Sequence, residues 1–191
     1  SEYVDAKSGV SARMSITAFE NLISTAERRL LLTGEEKTSI RMADFLGVIA
    51  AINGKVELVY EGEQEGAEQI AFHLINQAVK TLFPSYFPEI KKLEKEDEDG
   101  PYDRLLGWFY GDNELFLEDG LAEDVYKDTL DAVPNLNTLV ATHQPKSAPE
   151  DTYFLMEFLL WGLEANKRLN KYRTLEGFQF KDGLGNLLAG L

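Results

Sequence analysis

Ser11-Ala12-Arg13-Met14-Ser15-Ile16-Thr17-Ala18-Phe19-Glu20-Asn21-Leu22-Ile23-Ser24-Thr25-Ala26-Glu27-Arg28-Arg29-Leu30-Leu31-Leu32 sets Phe19, Leu22, Ile23, Ala26 and Leu30 at helical spacing along one stripe. That spacing predicts an amphipathic helix with the stripe facing a core. Thr17 and Glu20 match a capping box, Ser11 before Ala12 is an equal candidate for the N-cap, and Gly34 stands where a C-terminal glycine ends a helix.

Outward from this helix the pattern stays helical. Thr38 to Met42 alternates briefly and predicts a short strand. Ala43 to Ile52 predicts a second helix closed by Asn53-Gly54, and Lys55 to Tyr60 reads as a strand or an extended connector. From about Gln64 to Phe83, the residues Ile70, Leu74, Ile75, Ala78, Val79 and Leu82 form another apolar stripe, stopped by Pro84. Lys91 to Gly100 is a charge run with little to bury, expected as an exposed loop or frayed helix end. Pro101 opens a short aromatic helix with Leu105, Leu106, Trp108 and Phe109, followed by a turn at Gly111-Asp112-Asn113. Helices are expected from about Leu121 to Leu130, after Pro134, and from Glu150 to Tyr172, with a linker near 142–150 and an apolar tail from Gly177 to Leu191 that is able to dock. Six to eight helices with at most minor β make the class all-α, a helical bundle.

Composition bounds the chemistry. Among 191 residues there is no Cys, which removes a thiol nucleophile, a Cys-ligated zinc and an iron–sulfur cluster. A net charge of -14 opposes broad contact with a phosphate backbone or an anionic membrane, so neither direct nucleic-acid nor membrane binding is expected. The charge is uneven: residues 1–60 carry 7 basic and 8 acidic side chains, residues 61–131 carry 6 and 19, and residues 132–191 carry 6 and 6. A nearly neutral head and tail around an acidic middle leave two surfaces suited to packing on something else. Ser1 to Val10 contains no apolar signal region, and the absence of Cys fits a reducing compartment more easily, so a cytoplasmic protein is expected. The start without an initiator Met, a few residues before a strong helix, is the pattern expected of a segment of a longer protein.

Motif arithmetic finds no self-contained active site. A Walker A loop fails at Gly54-Lys55, where Val56 follows and Ile49 takes the place of the first glycine. An EF-hand aligned on Gly100 has Lys95 at its first ligand position and Leu106 at its last. His73 and His143 have no ligand partner at helical spacing, and no Gly-x-Ser-x-Gly elbow occurs. Glu61, Glu63, Glu65 and Glu68 suit a solvated helix N-terminus better than a metal site.

Ser8-Gly9-Val10-Ser11-Ala12-Arg13-Met14-Ser15-Ile16, followed by Ala26-Glu27-Arg28-Arg29, resembles the sensor 2 helix of AAA+ ATPases of the magnesium chelatase I-subunit and MoxR type. Arg41 to Asp44 and Gly54-Lys55-Val56-Glu57 look like later parts of that family's helical lid. Glu57 to Glu65, Met156 to Glu164 and Arg168-Leu169-Asn170-Lys171 look like the C-terminal extension of a bacterial branch of chelatase-like ATPases. The resemblance implies a lid-like segment over residues 1–60 and a helical extension over 61–191. It implies that Arg13 contacts nucleotide phosphates, that ATP and Mg²⁺ are cofactors of the parent protein, and that the parent is an ATPase forming a homo-oligomeric ring with a protein client. Walker A, Walker B, sensor 1 and the arginine finger lie outside the match, so this chain alone is not expected to hydrolyse ATP. Arg28, Arg29 and Arg41 are expected to be solvated or salt-bridged. Two other functions fit the residues: a free-standing acidic helical adaptor for a basic partner, and part of a transcriptional regulator related to sigma-54 activators.

Overall fold

The computed structural model describes residues 13–52, 66–90 and 100–182, and its contacts divide the chain into two units, Ser1–Ala78 and Val79–Leu191. The fold is mostly helical with one small antiparallel sheet. Among the described residues there are seven α-helices and three strands.

In the first unit α1 spans Met14–Thr33. The expected Thr17–Glu20 capping box does not form: Arg13 is the N-cap, and the Thr17 hydroxyl donates back to the Arg13 carbonyl at 3.1 Å; the other candidate, Ser11, lies outside the described residues. Gly34 closes the helix as expected. At φ 71° it takes the left-handed conformation that glycine adopts without steric cost, and its N–H reaches the Leu30 carbonyl at 3.0 Å. The apolar stripe, however, does not face a core. Phe19 is 64 % exposed and Leu22, Ile23 and Leu30 are half-buried, whereas the side chains that α1 buries are Ala26 and Arg29.

The strand expected over Thr38 to Met42 is absent. Thr38 and Ser39 instead offer oxygens to Arg29, and Met42–Phe45 winds into a 3₁₀ turn that leads into α2, Leu46–Ile52. The expected closure at Asn53-Gly54 and the segment Lys55 to Tyr60 lie outside the described residues. The α1 and α2 backbones meet closely at Gly47, where an added Cβ would stand 2.0 Å from Thr25 Oγ1 and 3.1 Å from the Asn21 carbonyl oxygen. Helix α3, Ala67–Leu82, buries Ile70, Ala71, Ile75 and Val79 at near four-residue steps, while Ala78 and Leu82 of the expected stripe are exposed. Pro84 ends it in a 3₁₀ turn, Phe83–Ser85.

The charge run from Lys91 lies outside the described residues as far as Asp99. The second unit continues with α4, Asp103–Tyr110; β1, Leu115–Glu118; α5, Glu123–Asp131; α6, Leu136–His143; α7, Thr152–Ala165; β2, Leu169–Arg173; and β3, Gly177–Asp182. Residues 144–151, most of the expected linker, join α6 to α7 inside this unit. Every residue of α7 from Leu155 to Leu163 is buried, as suits a helix apolar nearly all round. Phe83 lies against it so closely that a Cβ on Gly162 would stand 1.9 Å from the ring, and Phe87, Tyr102 and Phe158 surround Phe83 with ring centroids 5.5 to 6.3 Å away.

The helix expected to reach Tyr172 stops at Ala165. Asn166 folds its side-chain amide back to the Gly162 carbonyl at 2.8 Å, Lys167 adopts φ 61°, and the alternating Leu169 to Arg173 enters a sheet ordered β1-β3-β2. Rather than a docked tail, Gly177–Asp182 is the central strand; residues 183–191 lie outside the description. Its register pairs Leu115 with Phe180 on one side and Lys171 with Phe180 on the other. Gly177 is required at the edge of this strand, because a Cβ there would meet the Leu117 carbonyl oxygen at 2.0 Å.

Candidate functional site

Arg13, the residue singled out by sequence, sits immediately before α1 with an exposed side chain. Its carbonyl accepts the Thr17 N–H at 3.0 Å, so the backbone is already engaged in the first turn. A planar, permanently charged donor fork at the positive end of a 20-residue helix is chemically suited to a phosphate group. One arginine binds part of a nucleotide and no more. The Walker residues that would hold the rest are absent from this sequence, and among the described residues no group of three or more His, Asp or Glu is arranged to hold a metal ion.

Four turns along the same helix, Arg29 is 5 % exposed and Asp44 2 %. The Arg29 Nη1 forms an ion pair with Asp44 Oδ1, and Nη2 donates to Thr38 Oγ1 at 3.0 Å and to the Ser39 carbonyl at 2.6 Å. Asp44 Oδ2 in turn accepts the Arg41 backbone N–H at 2.8 Å. One guanidinium therefore ties α1 to the extended segment and the 3₁₀ turn. Burial raises the Asp44 carboxyl above its usual range, opposed first by the Arg41 amide and then by Arg29. The sequence left Arg29 and Arg41 as solvated or salt-bridged; both are buried, Arg29 in a salt bridge, and Arg28 is exposed. The i to i+15 separation of Arg29 and Asp44 carries no local signal by which sequence alone could pair them.

A second buried polar group, which sequence reasoning missed, lies in the other unit. Glu157 on α7 is 1 % exposed and accepts a hydrogen bond from Tyr126 of α5 at 2.9 Å. Lys171 of β2 reaches Glu164 of α7 at 3.0 Å and places its ammonium 3.3 Å from the Trp161 ring centroid. Burial lowers the Lys171 pKa, against the pull of Glu164 and Glu157. These contacts fasten the sheet to α7 and α5 to α7. They are structural bonds, since every group named is engaged with a neighbour in the fold. His73 is exposed and His143 half-buried, with its ring edge-on to Phe87 at 6.4 Å.

No helix among the described residues is long and apolar enough to cross a membrane. Comparison of the chain with protein-family models, with curated proteins and with solved structures finds no match.

Proposed function

We propose that this chain is the lid and C-terminal helical portion of a magnesium chelatase-like AAA+ ATPase, in which Arg13 senses nucleotide and the remaining surface makes subunit or client contacts. The reading rests on the Ser8-to-Ile16 motif, and the observation that carries it further is the placement of Arg13. Arg13 is an exposed residue at one end of α1, and the Arg29–Asp44 pair anchors the same helix four turns away. A side chain on a helix held in this way moves with the lid as a body, which is what coupling nucleotide state to lid angle requires. On this reading the partners are the ATPase domain of the same polypeptide, further subunits of a homo-oligomeric ring and a protein client. ATP and Mg²⁺ are bound mainly by residues upstream, and the protein acts in the cytoplasm without direct contact to nucleic acid or membrane.

The test uses the full parent reading frame. Replacing Arg13 with Ala is expected to lower ATP turnover at least about tenfold, equivalent to about 1.4 kcal/mol of barrier, or to abolish nucleotide-dependent assembly. Arg13→Lys is expected to restore only part, because the ammonium keeps the charge but loses the planar fork. Unchanged turnover and assembly in Arg13→Ala, or a reading frame with no upstream Walker A sequence, sinks the assignment.

A further inference from the structure

We propose that the outer face of α1 is a docking surface for a basic amphipathic helix of a protein partner. At about 100° per residue, Ile16, Phe19, Glu20, Ile23, Glu27, Leu30 and Leu31 fall within an arc of about 120°. Ile16 is 61 %, Phe19 64 % and Leu31 81 % exposed. The opposite arc, with Asn21, Thr25 and Arg29, is the one that meets Gly47, Asp44 and Ser39. The exposed face is therefore the one left over after α1 has packed on the described residues of its own unit.

Arg13 borders the same arc just before the helix, and the two charged members within α1, Glu20 and Glu27, define the occupant. Glu20 and Glu27 are exposed, and neither has an ion-pair or hydrogen-bond partner among the described residues. They lie seven residues apart, about 10 Å along the axis, which is the spacing of two basic residues on one face of a partner helix. Such a helix, with apolar side chains at i, i+3 and i+7, would cover Ile16, Phe19 and Ile23 while pairing both carboxylates. A second copy fits less well. Parallel pairing sets Glu20 against Glu20, antiparallel pairing about Ile23 brings Glu20 near Glu27, and a net charge of -14 per chain adds repulsion. The proposal does not depend on Arg13 binding nucleotide.

The test uses this 191-residue chain and a synthetic helical peptide with leucines at i, i+3 and i+7 and two arginines seven residues apart, titrated by calorimetry. Binding is expected to weaken with added salt, to fall at least about tenfold in Phe19→Ser and in the double variant Glu20→Lys/Glu27→Lys, and to vanish for a peptide whose arginines are replaced by glutamates. Circular dichroism checks that both variants keep the fold, which their exposed positions predict. No binding by the unaltered chain overturns the proposal. So does affinity indifferent to both variants, which marks non-specific attraction to an acidic protein, or self-association that Phe19→Ser abolishes, which makes the occupant a second copy. Should Phe19→Ser unfold the chain, Phe19 is part of a core and the docking face is refuted at its centre; the charge-reversal pair then tests whether any specific site remains.

Discussion

Helix α7 is apolar nearly all round and α1 carries its apolar side chains along one stripe, and the two are used in opposite ways. Nine consecutive residues of α7 are buried, whereas α1, the longer helix, buries two side chains, one of them an arginine. In the second unit, burial of apolar surface, at roughly 25 cal/mol for each Å² removed from water, joins the contacts of Tyr126 and Lys171 in fastening the elements to α7. In the first unit, a desolvated ion pair and three neighbouring hydrogen bonds fix where α1 lies. A buried ion pair contributes little net stability, because desolvation offsets most of the Coulomb gain, but it specifies position sharply. Apolar side chains in α1 are thereby released from the core and left on the surface.

The contrast predicts that the two units break in different ways. Asp44→Ala leaves the Arg29 guanidinium buried without its carboxylate and is expected to destabilise the first unit by about 3–5 kcal/mol, measured by denaturant unfolding with hydrogen exchange to localise the loss. A loss below about 1 kcal/mol would mean that the seam is incidental and that apolar contacts hold α1 after all. In the second unit the corresponding weak point is a lack of space. Gly162→Ala forces a Cβ to within 1.9 Å of the Phe83 ring, itself 1 % exposed, and is expected to cost about 1–3 kcal/mol through overpacking. Adding Phe83→Leu should recover part of that loss. Strict additivity of the two changes would show that the ring is free to move aside.

What the sequence disclosed follows the same division. The helical class, the cap at Gly34, the stop at Pro84 and the turn at Gly111-Asp112-Asn113 were all legible, because backbone conformation there is set by the local residues. The small sheet was not. Leu115 to Glu118 is four residues long, and its partner Gly177 to Asp182 lies about sixty residues downstream, so no window contains both. Leu169 to Arg173 continued the apolar spacing of α7 closely enough to read as helix, and only the Asn166 amide and the left-handed Lys167 show the break. The pairing of Arg29 with Asp44 and of Tyr126 with Glu157 was not legible, since both depend on tertiary proximity.

The smallest effect concerns a half-buried cation of the second unit. Lys171 lies over Trp161 and beside Glu164, and burial depresses its pKa below the ordinary 10.5 despite those partners. Between the depressed value and 10.5 the unfolded chain binds a proton that the folded chain has released, so stability should rise as pH climbs through that window. Tyr153 works in the other direction. Its hydroxyl, bonded to Asp131 at 2.8 Å, has a pKa raised from 10.0 to about 12, and buried Tyr102 is raised as well, so their contribution is present below 10 and is lost as pH rises above it. Unfolding of the second unit, followed by tryptophan fluorescence, should therefore show stability rising toward pH 10 and falling beyond it. Lys171→Met should abolish the rise and leave the fall. If wild-type stability instead declines steadily across the lower window, Glu164 and Glu157 outweigh burial at Lys171, and the apolar unit is held by a charge as firmly as the first.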